Sequence, residues 1–471
     1  MHKCIWNSPS HKILLQKNYS LKKLQLRQTG GIMKIMKFGG TSVGKPERMQ
    51  QVMQLITADE ESKIVVLSAL SGTTNNLVEI SNAMAGNNKA EAKLLIEKLE
   101  NHYKDFIQQL LKTDECLVAA SKVLQEHFEF LYIILRISFS EALNKDILAQ
   151  GELLSTKLFS IYLTEQNVDH AFLPALEFMT IDAYDEPQIG AIKVKLAQQI
   201  KQNADKKIFI TQGYICRNAK GEVDNLKRGG SDYSASLIAA AINASVCEIW
   251  TDIDGMHNND PRIVNKTFAI EQLSFEEAAE LAYFGAKILH PASIWPAQYY
   301  NVPVKLLNTM DPSAKGTLIA EKAGSVGVKA VAAKDGITAI RVKSSRMLLA
   351  YGFLRKVFEV FEKYRTSIDM ITTSEVAVSV TIDNDVNLPD IIKELEPFGT
   401  VEIDTNHTIV SIVGNEIAET KDVMKKLFDA IEPIPVRMVS YGGSKHNVSL
   451  LIARNYKDQT LQLLNEGLFG L

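Results

Sequence analysis

Residues 34–44 read KIMKFGGTSVG, so that a short apolar run leads without a break into a glycine-rich loop. The run predicts a β-strand at residues 34–38. The loop lets backbone N–H groups come close to phosphate oxygens because glycine has no Cβ, and Lys37 supplies a cation beside them. Together the loop and the lysine can hold a phosphoryl group during its transfer.

A P-loop is the main competing interpretation, because Gly39 to Lys45 has the spacing GxxxxGK. The next residue is Pro46, where a P-loop has the Ser or Thr that binds magnesium. We therefore favour Lys37 over Lys45 as the functional cation. A tight turn with an exposed lysine stays open as an alternative.

The segment up to Gly324 alternates strands and helices. Further strands are predicted at residues 63–67, 207–211, 247–251 and 302–307, with helices at 88–143, 232–243 and 275–284. The run at 63–67 is continuously β-branched or apolar, as in a strand that is buried on both faces of a parallel sheet. This alternation predicts an α/β sheet with helical crossovers.

Beyond Gly324 the pattern changes to short strands and single helices. A helix at residues 352–364 and strands at 368–372 and 377–382 are followed, about 70 residues later, by a helix at 421–431 and strands at 436–439 and 447–452. VSV at 378–380 corresponds to VSL at 448–450. A duplicated small domain is the preferred interpretation, although the shared spacing is weak by itself. A strand is also predicted at residues 328–333.

Composition excludes several classes of protein. Of 471 residues, 46% are hydrophobic and 23% charged, and the net charge is −3, which is typical of a globular protein with no general affinity for nucleic acid. No apolar run approaches the ~20 residues of a membrane-spanning helix. The four cysteines form no CxxC pair and the nine histidines show no metal-ligand spacing. We expect a cytoplasmic protein without a metal site of its own.

Residues 1–33 form a separate leader, whose first 32 residues contain six Lys or Arg and no Asp or Glu. Three interpretations stay open: a disordered leader, a start codon placed too early with Met33 or Met36 as the true start, and a transit peptide.

Four further motifs carry polar groups at the expected ends of elements. RGGSD at 228–232 opens a small-residue helix, where free N–H groups and the helix dipole favour an anion; helix capping explains only Ser231 and Asp232. Glu152 stands among apolar residues near a helix start, where by itself it reads as a favourable N-terminal charge. WTDIDG at 250–255 with DPR at 260–262 forms a turn-rich loop after a strand, and FGAK at 284–287 adds a lysine after a helix.

Together these motifs resemble the aspartate kinases of the amino-acid kinase family, over residues 34–455. The resemblance is carried by KFGGTSVG, GE at 151–152, RGGSD, WTD at 250–252, DPR, FGAKILHP at 284–291 and ITTSE at 371–375. It implies a three-layer αβα catalytic domain at 34–325. It also implies two α+β ACT domains of the ferredoxin-like βαββαβ type at 326–471, one unit at about 336–404 and the other at about 328–335 plus 405–471.

The resemblance also implies the activity, in which the γ-phosphate of ATP moves to the side-chain carboxylate of L-aspartate. Lys37 and Asp232 would be catalytic. The implied substrate-binding residues are Ser68, Thr74, Glu152, Arg228, Gly229, Gly230 and Ser231. The implied nucleotide-binding residues are Lys37, Gly39, Gly40, Ser42, Thr251, Asp252, His257, Arg262 and Lys287, with His257 in a place where the family often has an aromatic residue.

A carboxylate nucleophile with a reference pKa of about 4 is ionised at neutral pH and needs no general base. Magnesium is expected to arrive with ATP, held largely by its phosphates.

The C-terminal region resembles the effector site of lysine-sensitive family members. The implied effector-binding residues are Met347, Gly352, Phe353, Leu354, Ser367, Ile368, Asp369, Thr373, Ser374 and Glu375. Leu349 and Ala350 replace polar residues that are common beside the glycine, so threonine stays open as the effector. A sheet that serves only for dimerisation also stays open. We expect a homodimer or homotetramer joined through the ACT domains.

Two alternative functions remain at this point. A kinase for glutamate or carbamate would share the fold and the glycine loops, but should lack the ACT pair. A non-catalytic amino-acid sensor would keep the ACT region but lose Lys37 or Asp232, and both are present. We find no second strand-GxGxxG-helix unit, and therefore expect a single-function enzyme.

Overall fold

The computed structural model describes residues 33–227, 229–285, 289–322, 324–344 and 351–471. The strands up to residue 320 are β1 (Lys34–Phe38), β2 (Lys63–Leu67), β3 (Ala171–Phe172), β4 (Ile208–Gln212), β5 (Ile215–Arg217), β6 (Val223–Asn225), β7 (Cys247–Thr251), β8 (Gln272–Ser274), β9 (Val304–Asn308) and β10 (Thr317–Ala320). Eight of them form one sheet in the order β3-β4-β2-β1-β7-β9-β10-β8, and β5 and β6 form a hairpin. All neighbours in the sheet are parallel except β9 and β10.

The central strands are buried on both faces because helices cover both sides of the sheet. Ile35 on β1 packs into one hydrophobic core, whereas Met36 and Phe38 pack into the core on the other side. Successive side chains of a strand point to opposite faces, so a strand between two helical layers must be apolar throughout. This arrangement confirms the predicted three-layer αβα fold.

The helices around this sheet are α1 (Gly40–Val43), α2 (Pro46–Thr57), α3 (Thr73–Ala85), α4 (Lys89–Leu110), α5 (Asp114–Ile134), α6 (Glu141–Glu165), α7 (Ala175–Phe178), α8 (Ile189–Gln202), α9 (Gly230–Ile242), α10 (Phe275–Tyr283) and α11 (Pro291–Tyr299). Side-chain caps stabilise the N-termini of three of these helices: Asn88 caps α4, Ser140 caps α6, and Ser274 with Glu277 forms a capping box on α10. The segment at 88–143 was predicted to be helical, and it contains α4, α5 and the first residues of α6. Helix α6 continues to residue 165.

The second sheet is antiparallel. It contains β11 (Gly327–Lys343), β12 (Ile371–Thr373), β13 (Ala377–Ile382), β14 (Thr400–Asn415), β15 (Val436–Ser440) and β16 (Asn447–Ala453), in the order β12-β13-β11-β14-β16-β15. Its helices are α12 (Phe353–Lys363), α13 (Leu388–Leu395), α14 (Val423–Ala430) and α15 (Lys457–Phe469), with short 3₁₀ turns at Glu396–Phe398 and Arg454–Tyr456. None of the helices in the described ranges combines the length and the apolar character that a bilayer crossing requires.

One long strand, β11, belongs to both halves of this sheet. Residues up to Asp335 pair with the second half of β14, and residues from Ile337 onward pair with its first half. The register shifts between them, where Gly336 adopts a left-handed conformation with φ of +76°. The predicted strand at 328–333 is thus the first part of a 17-residue strand.

The strand predicted at 368–372 is wrong in its bounds, because β12 covers Ile371–Thr373. Asp369 N–H donates to the Thr381 carbonyl, but its side chain turns inward to a polar cluster, and regular pairing with β13 begins only at Ile371.

The two sheets meet along two elements. Helix α10 packs on the second sheet through an ion pair between Glu277 and Lys329 of β11, with nitrogen and oxygen 3.1 Å apart. Helix α15 packs on the loop after β7, where Asn465 bonds to the Asn258 side chain at 3.1 Å and to the Lys266 carbonyl at 3.0 Å.

Candidate active site

A cavity of about 580 Å³ opens at the carboxyl ends of the central strands. Its walls come from the segments that follow β1, β2, β4 and β7, together with the start of α9 and one residue of α6. Open α/β sheets place ligands at this edge, because the loops that leave neighbouring parallel strands converge there. The lining residues are Lys37, Gly39, Gly40, Thr41, Ser68, Ala69, Leu70, Ser71, Gly72, Thr74, Glu152, Tyr214, Gly230, Ser231, Thr251 and Asp252.

Lys37 and Asp232 form an ion pair at this cavity. The Lys37 ammonium lies 2.6 Å from Oδ1 of Asp232, and the two side chains are only 11% and 17% exposed. Strand β1 positions the lysine and the first turn of α9 positions the carboxylate. Gly39 leaves room for the ammonium, since a Cβ at this position would lie 3.2 Å from Lys37 Nζ. The pair thus fixes a cation beside the glycine loop.

Two helices point their N-termini towards the cavity, α3 and α9. Each begins after a glycine in the left-handed conformation, Gly72 with φ of +82° and Gly229 with φ of +63°. Neither helix has a side-chain cap. Uncapped N–H groups and the positive end of the helix dipole stabilise an anion, so both ends suit phosphate or carboxylate groups.

Glu152 supplies a buried carboxyl group. Its Oε1 accepts a hydrogen bond from the Ala69 N–H at 3.3 Å, while its Oε2 has no partner among the described residues. Burial raises the pKa of Glu152 to about 8. An unpartnered carboxyl oxygen in a cavity wall is a suitable acceptor for a ligand ammonium group.

The serines of the site are linked across the chain. Ser68 Oγ donates to Ser231 Oγ at 2.8 Å, which joins the end of β2 to the start of α9. Gly213 packs so closely on this contact that a Cβ there would lie 2.3 Å from Ser231 Oγ. The close approach of the chain after β4 therefore sets the position of the helix start.

The structure gathers most of the predicted substrate and phosphate residues but not all of the nucleotide residues. Ser42 is buried and its hydroxyl bonds to Thr309 at 2.8 Å. Both ring nitrogens of His257 form hydrogen bonds within its own loop. Nε2 lies 2.7 Å from Asp254 Oδ1, and Nδ1 lies 2.9 Å from Thr267 Oγ1. Arg262 is 79% exposed and pairs with Asp260. These three residues do not line the cavity, and their predicted contacts with ATP stay predictions.

Arg228 and Lys287 lie outside the described residues, as does Met347 of the predicted effector site.

Tyr214 lines the cavity, although it belongs to none of the motifs identified in the sequence. It directly follows the β4 turn with φ of +64°, which is unusual for a residue other than glycine. Ser71 and Gly72 also line the cavity. They follow the predicted strand at 63–67 closely, and this position at the carboxyl end of a parallel strand could have indicated that they belong to the site.

The predicted effector residues lie on both sides of α12. Gly352 is the left-handed N-cap of this helix, with φ of +78°, and Phe353, Leu354 and Ile368 pack against one hydrophobic core. The side chain of Asp369 is fully buried and paired with Lys334, and its predicted contact with the effector stays a prediction. Ser367, Thr373, Ser374 and Glu375 are exposed at the surface.

Comparison with known proteins agrees with this fold. The profile of the amino acid kinase family matches residues 33–308, and the profile of an ACT domain matches residues 410–468. The chain therefore belongs to the amino acid kinase family. It is 34% identical to lysine-sensitive aspartokinase 3 of Escherichia coli, over 92% of this chain and 99% of that protein.

Two solved structures of the E. coli enzyme are similar over almost the whole chain. Aspartokinase III in complex with aspartate and ADP, described as the R-state, gives a TM-score of 0.79 at 32% identity and covers 93% of this chain and 100% of that one. The complex with lysine and aspartate, described as the T-state, gives 0.76 at 33% identity, with 93% and 99% coverage.

Proposed function

We propose that this chain is an ATP-dependent aspartate kinase, which transfers the γ-phosphoryl group of ATP to the side-chain carboxylate of L-aspartate and forms 4-phospho-L-aspartate. This reaction is the first step towards lysine, threonine and methionine. The main supporting observation is that the Lys37–Asp232 pair, two uncapped helix N-termini and the carboxyl group of Glu152 line or adjoin one cavity. The names of the relatives support the choice of aspartate.

Phosphoryl transfer depends on positioning and on charge neutralisation more than on covalent help. In this proposal Lys37 neutralises charge on the transferring group, Asp232 holds the ammonium in place, and the N–H groups of the glycine loop and of α9 border the phosphates. The attacking carboxylate of aspartate is already ionised, so no residue has to remove a proton from it.

Glu152 binds the α-ammonium of aspartate, and Arg228 clamps its α-carboxylate. The rise of the Glu152 pKa to about 8 is caused by burial, and an incoming ammonium reverses it by favouring the ionised form. Ser68, Thr74 and Ser231 line the same pocket. Thr251, Asp252 and Lys287 are assigned to the nucleotide.

ATP brings magnesium on its phosphates, and the ion neutralises their charge during transfer. A carboxylate on the cavity wall fits a single contact with such an ion, and Asp252 is so placed. Among the described residues no group of three acidic, His or Cys side chains is arranged as a metal cage.

We assign regulation to the second sheet, with lysine as the effector and threonine as the second candidate. The effector would bind near Gly352 and Asp369. The catalytic region would be 34–325 and the regulatory region 326–471, and we expect a homodimer or homotetramer that forms through the regulatory region. The cytoplasm is the compartment that we propose, since Cys116, Cys216 and Cys247 are unpaired.

The test is capture of the acyl phosphate by hydroxylamine. Purified protein with ATP, magnesium and aspartate should give aspartyl hydroxamate together with stoichiometric ADP. Glutamate and carbamate are the comparison substrates. Product from glutamate or carbamate but not from aspartate would contradict the proposal and support another amino-acid kinase. Lysine binding without any product would support a non-catalytic sensor.

A further inference from the structure

The buried carboxylate of Asp369 links the two sheets. Its Oδ1 accepts a hydrogen bond from the Tyr283 hydroxyl at 2.6 Å and from the Lys334 ammonium at 2.9 Å. Tyr283 is the last residue of α10, and Lys334 lies on β11. Burial, followed by the bond to Asp369, raises the pKa of Tyr283 to about 12, so the hydroxyl keeps its proton and donates at neutral pH.

The second oxygen of the same carboxylate is not satisfied. Oδ2 of Asp369 is buried and has no hydrogen-bond partner within the part of the chain that the structure describes. A buried carboxylate oxygen without a donor is costly, because the protein does not replace the water that it lost. Asp369 can therefore accept a further ammonium group, such as that of an amino acid.

Lys334 can release Asp369 without losing its only partner. The Lys334 ammonium also lies 2.8 Å from Oδ2 of Asp383, a partly exposed carboxylate, and 4.2 Å from the centroid of the Tyr283 ring. Removing one partner of an isolated buried pair is strongly unfavourable, but here the second carboxylate keeps the cation paired. Another ammonium group can therefore replace Lys334 at Asp369 without leaving the Lys334 charge unpaired.

The segment that follows Tyr283 touches the backbone beside Lys334. Gly285 has φ of +134°, and a Cβ at this position would lie 2.2 Å from the Ala333 carbonyl oxygen. A shift at residues 333–334 therefore reaches Gly285 directly, two residues after the end of α10. The start of α10 is held by separate contacts. Glu277 pairs with Lys329, and Glu276 Oε2 lies 2.9 Å from His446 Nε2.

We propose that Asp369 is a switch for which Lys334 and Tyr283 compete with the effector. When the ammonium of an amino-acid effector binds Asp369, Lys334 turns to Asp383, Tyr283 loses its acceptor, and the end of α10 shifts together with Gly285. The inference rests on the proposed function, which assigns the effector site. It adds the identity of the protein groups that the effector displaces.

The first test is Tyr283→Phe in the full chain, assayed for aspartyl hydroxamate at increasing lysine concentrations. Loss of a hydrogen bond to a charged group weakens the hold on Asp369, so half-inhibition should occur at about tenfold lower lysine. Rates are compared with each variant's own uninhibited rate. Tyr184→Phe, at a tyrosine that is 85% exposed, is the matched control and should leave half-inhibition unchanged.

The second test is Asp383→Asn, which should move half-inhibition in the opposite direction. Without the charge of Asp383, Lys334 stays committed to Asp369, and more lysine is needed for the same inhibition. A general loss of structure cannot shift the two variants in opposite directions. If wild type is inhibited but Tyr283→Phe behaves as Tyr184→Phe, or both variants shift in the same direction, the switch is wrong while the proposed activity stands.

Threonine and methionine are assayed alongside lysine. If wild type forms aspartyl hydroxamate and none of the three amino acids inhibits it, the switch and the proposed regulation are both overturned. If wild type forms no hydroxamate, the proposed activity has failed first.

Discussion

Lys37 is the residue on which the proposed chemistry depends most. Its ammonium is nearly buried and faces Asp232 across 2.6 Å, with the glycine loop beside it. A lysine that is held in this way supplies charge without reorganisation during the reaction.

Lys37→Ala should lower kcat by about 10³-fold or more, because preorganised charge at the transferring group is lost. Hydroxamate formation with aspartate measures this effect, and circular dichroism checks that the variant folds. Lys45→Ala is the matched control: Lys45 is exposed and is the lysine that a P-loop would use. An inactive Lys45 variant beside an active Lys37 variant would favour the P-loop interpretation.

Glu152 should make stability depend on pH. Its pKa is about 8 in the folded protein and near 4.5 in the unfolded chain, so the folded state binds the extra proton between these values. The free energy of unfolding therefore falls as pH rises through this interval. Glu152→Gln cannot ionise, so it should match wild type near pH 4.5 and be more stable by a few kcal/mol at pH 8.5.

Urea unfolding at the two pH values measures the difference. Glu79→Gln, at an exposed glutamate, is the control and should change little at either pH. A gap between wild type and Glu152→Gln that is equal at both pH values would contradict the assigned burial effect.

The sequence predicted the residues whose position follows from a strand end or a helix start, such as Lys37, Ser68 and Asp232. It could not predict the orientation of side chains in a loop. Arg262 belongs to the DPR motif and His257 lies in the same loop, yet their side chains bond to Asp260 and Asp254 beside them. Glu152 was predicted near a helix start, but it lies in the middle of α6 (Glu141–Glu165), and only the packing of this helix shows that its carboxyl group is buried.

Among the elements, strands with a clear run or a clear alternation of apolar residues were predicted best. The bounds of β1, β2, β7 and β13 are those expected from the sequence. The short strands β3, β5, β6, β8 and β10 were not predicted, because two to four residues carry no periodicity and their pairing depends on distant neighbours. The sequence also did not predict that one strand, β11, pairs along its whole length and so belongs to both halves of the second sheet.

Gly213 controls where α9 begins. A Cβ at this position would lie 2.8 Å from the Ser231 backbone, so Gly213→Ala must displace the start of the helix that carries Asp232. We expect kcat to fall about 10-fold or more, since a misplacement of 1 Å can cost 10²-fold. Gly190→Ala in α8, where the new Cβ meets nothing within 4 Å, is the control and should keep full activity. Equal activity in the two variants would contradict this role for Gly213.

Helix α15 holds the loop after β7 through Asn465. This side chain is buried and bonds to Asn258 and to the Lys266 carbonyl. Asn465→Ala leaves these groups unpaired, so the free energy of unfolding should fall by about 2 kcal/mol. Chemical denaturation measures the change, with the exposed Gln462→Ala on the same helix as a control. A variant as stable as wild type would show that the asparagine network does not hold the loop.

At the scale of the whole molecule, the two sheets are joined by α10 and α15. In our account the first sheet binds ATP and aspartate, and the second sheet binds the lysine effector. Linkage then requires that the two ligands affect each other's binding equally. Lysine should raise the midpoint of thermal unfolding, because a ligand that binds the folded state stabilises that state.

The apparent affinity for lysine should fall when an ATP analogue and aspartate are present, as measured by isothermal titration calorimetry. An unchanged affinity would show that the two sites are independent.

The most direct measurement is a crystal structure of the protein with aspartate and a non-hydrolysable ATP analogue. The account predicts the terminal phosphate within hydrogen-bond distance of Lys37 and of the N–H groups that begin α9, with the aspartate ammonium on Glu152. A terminal phosphate bound at Lys45, or anywhere that Lys37 and the 229–232 segment cannot both reach, would contradict it.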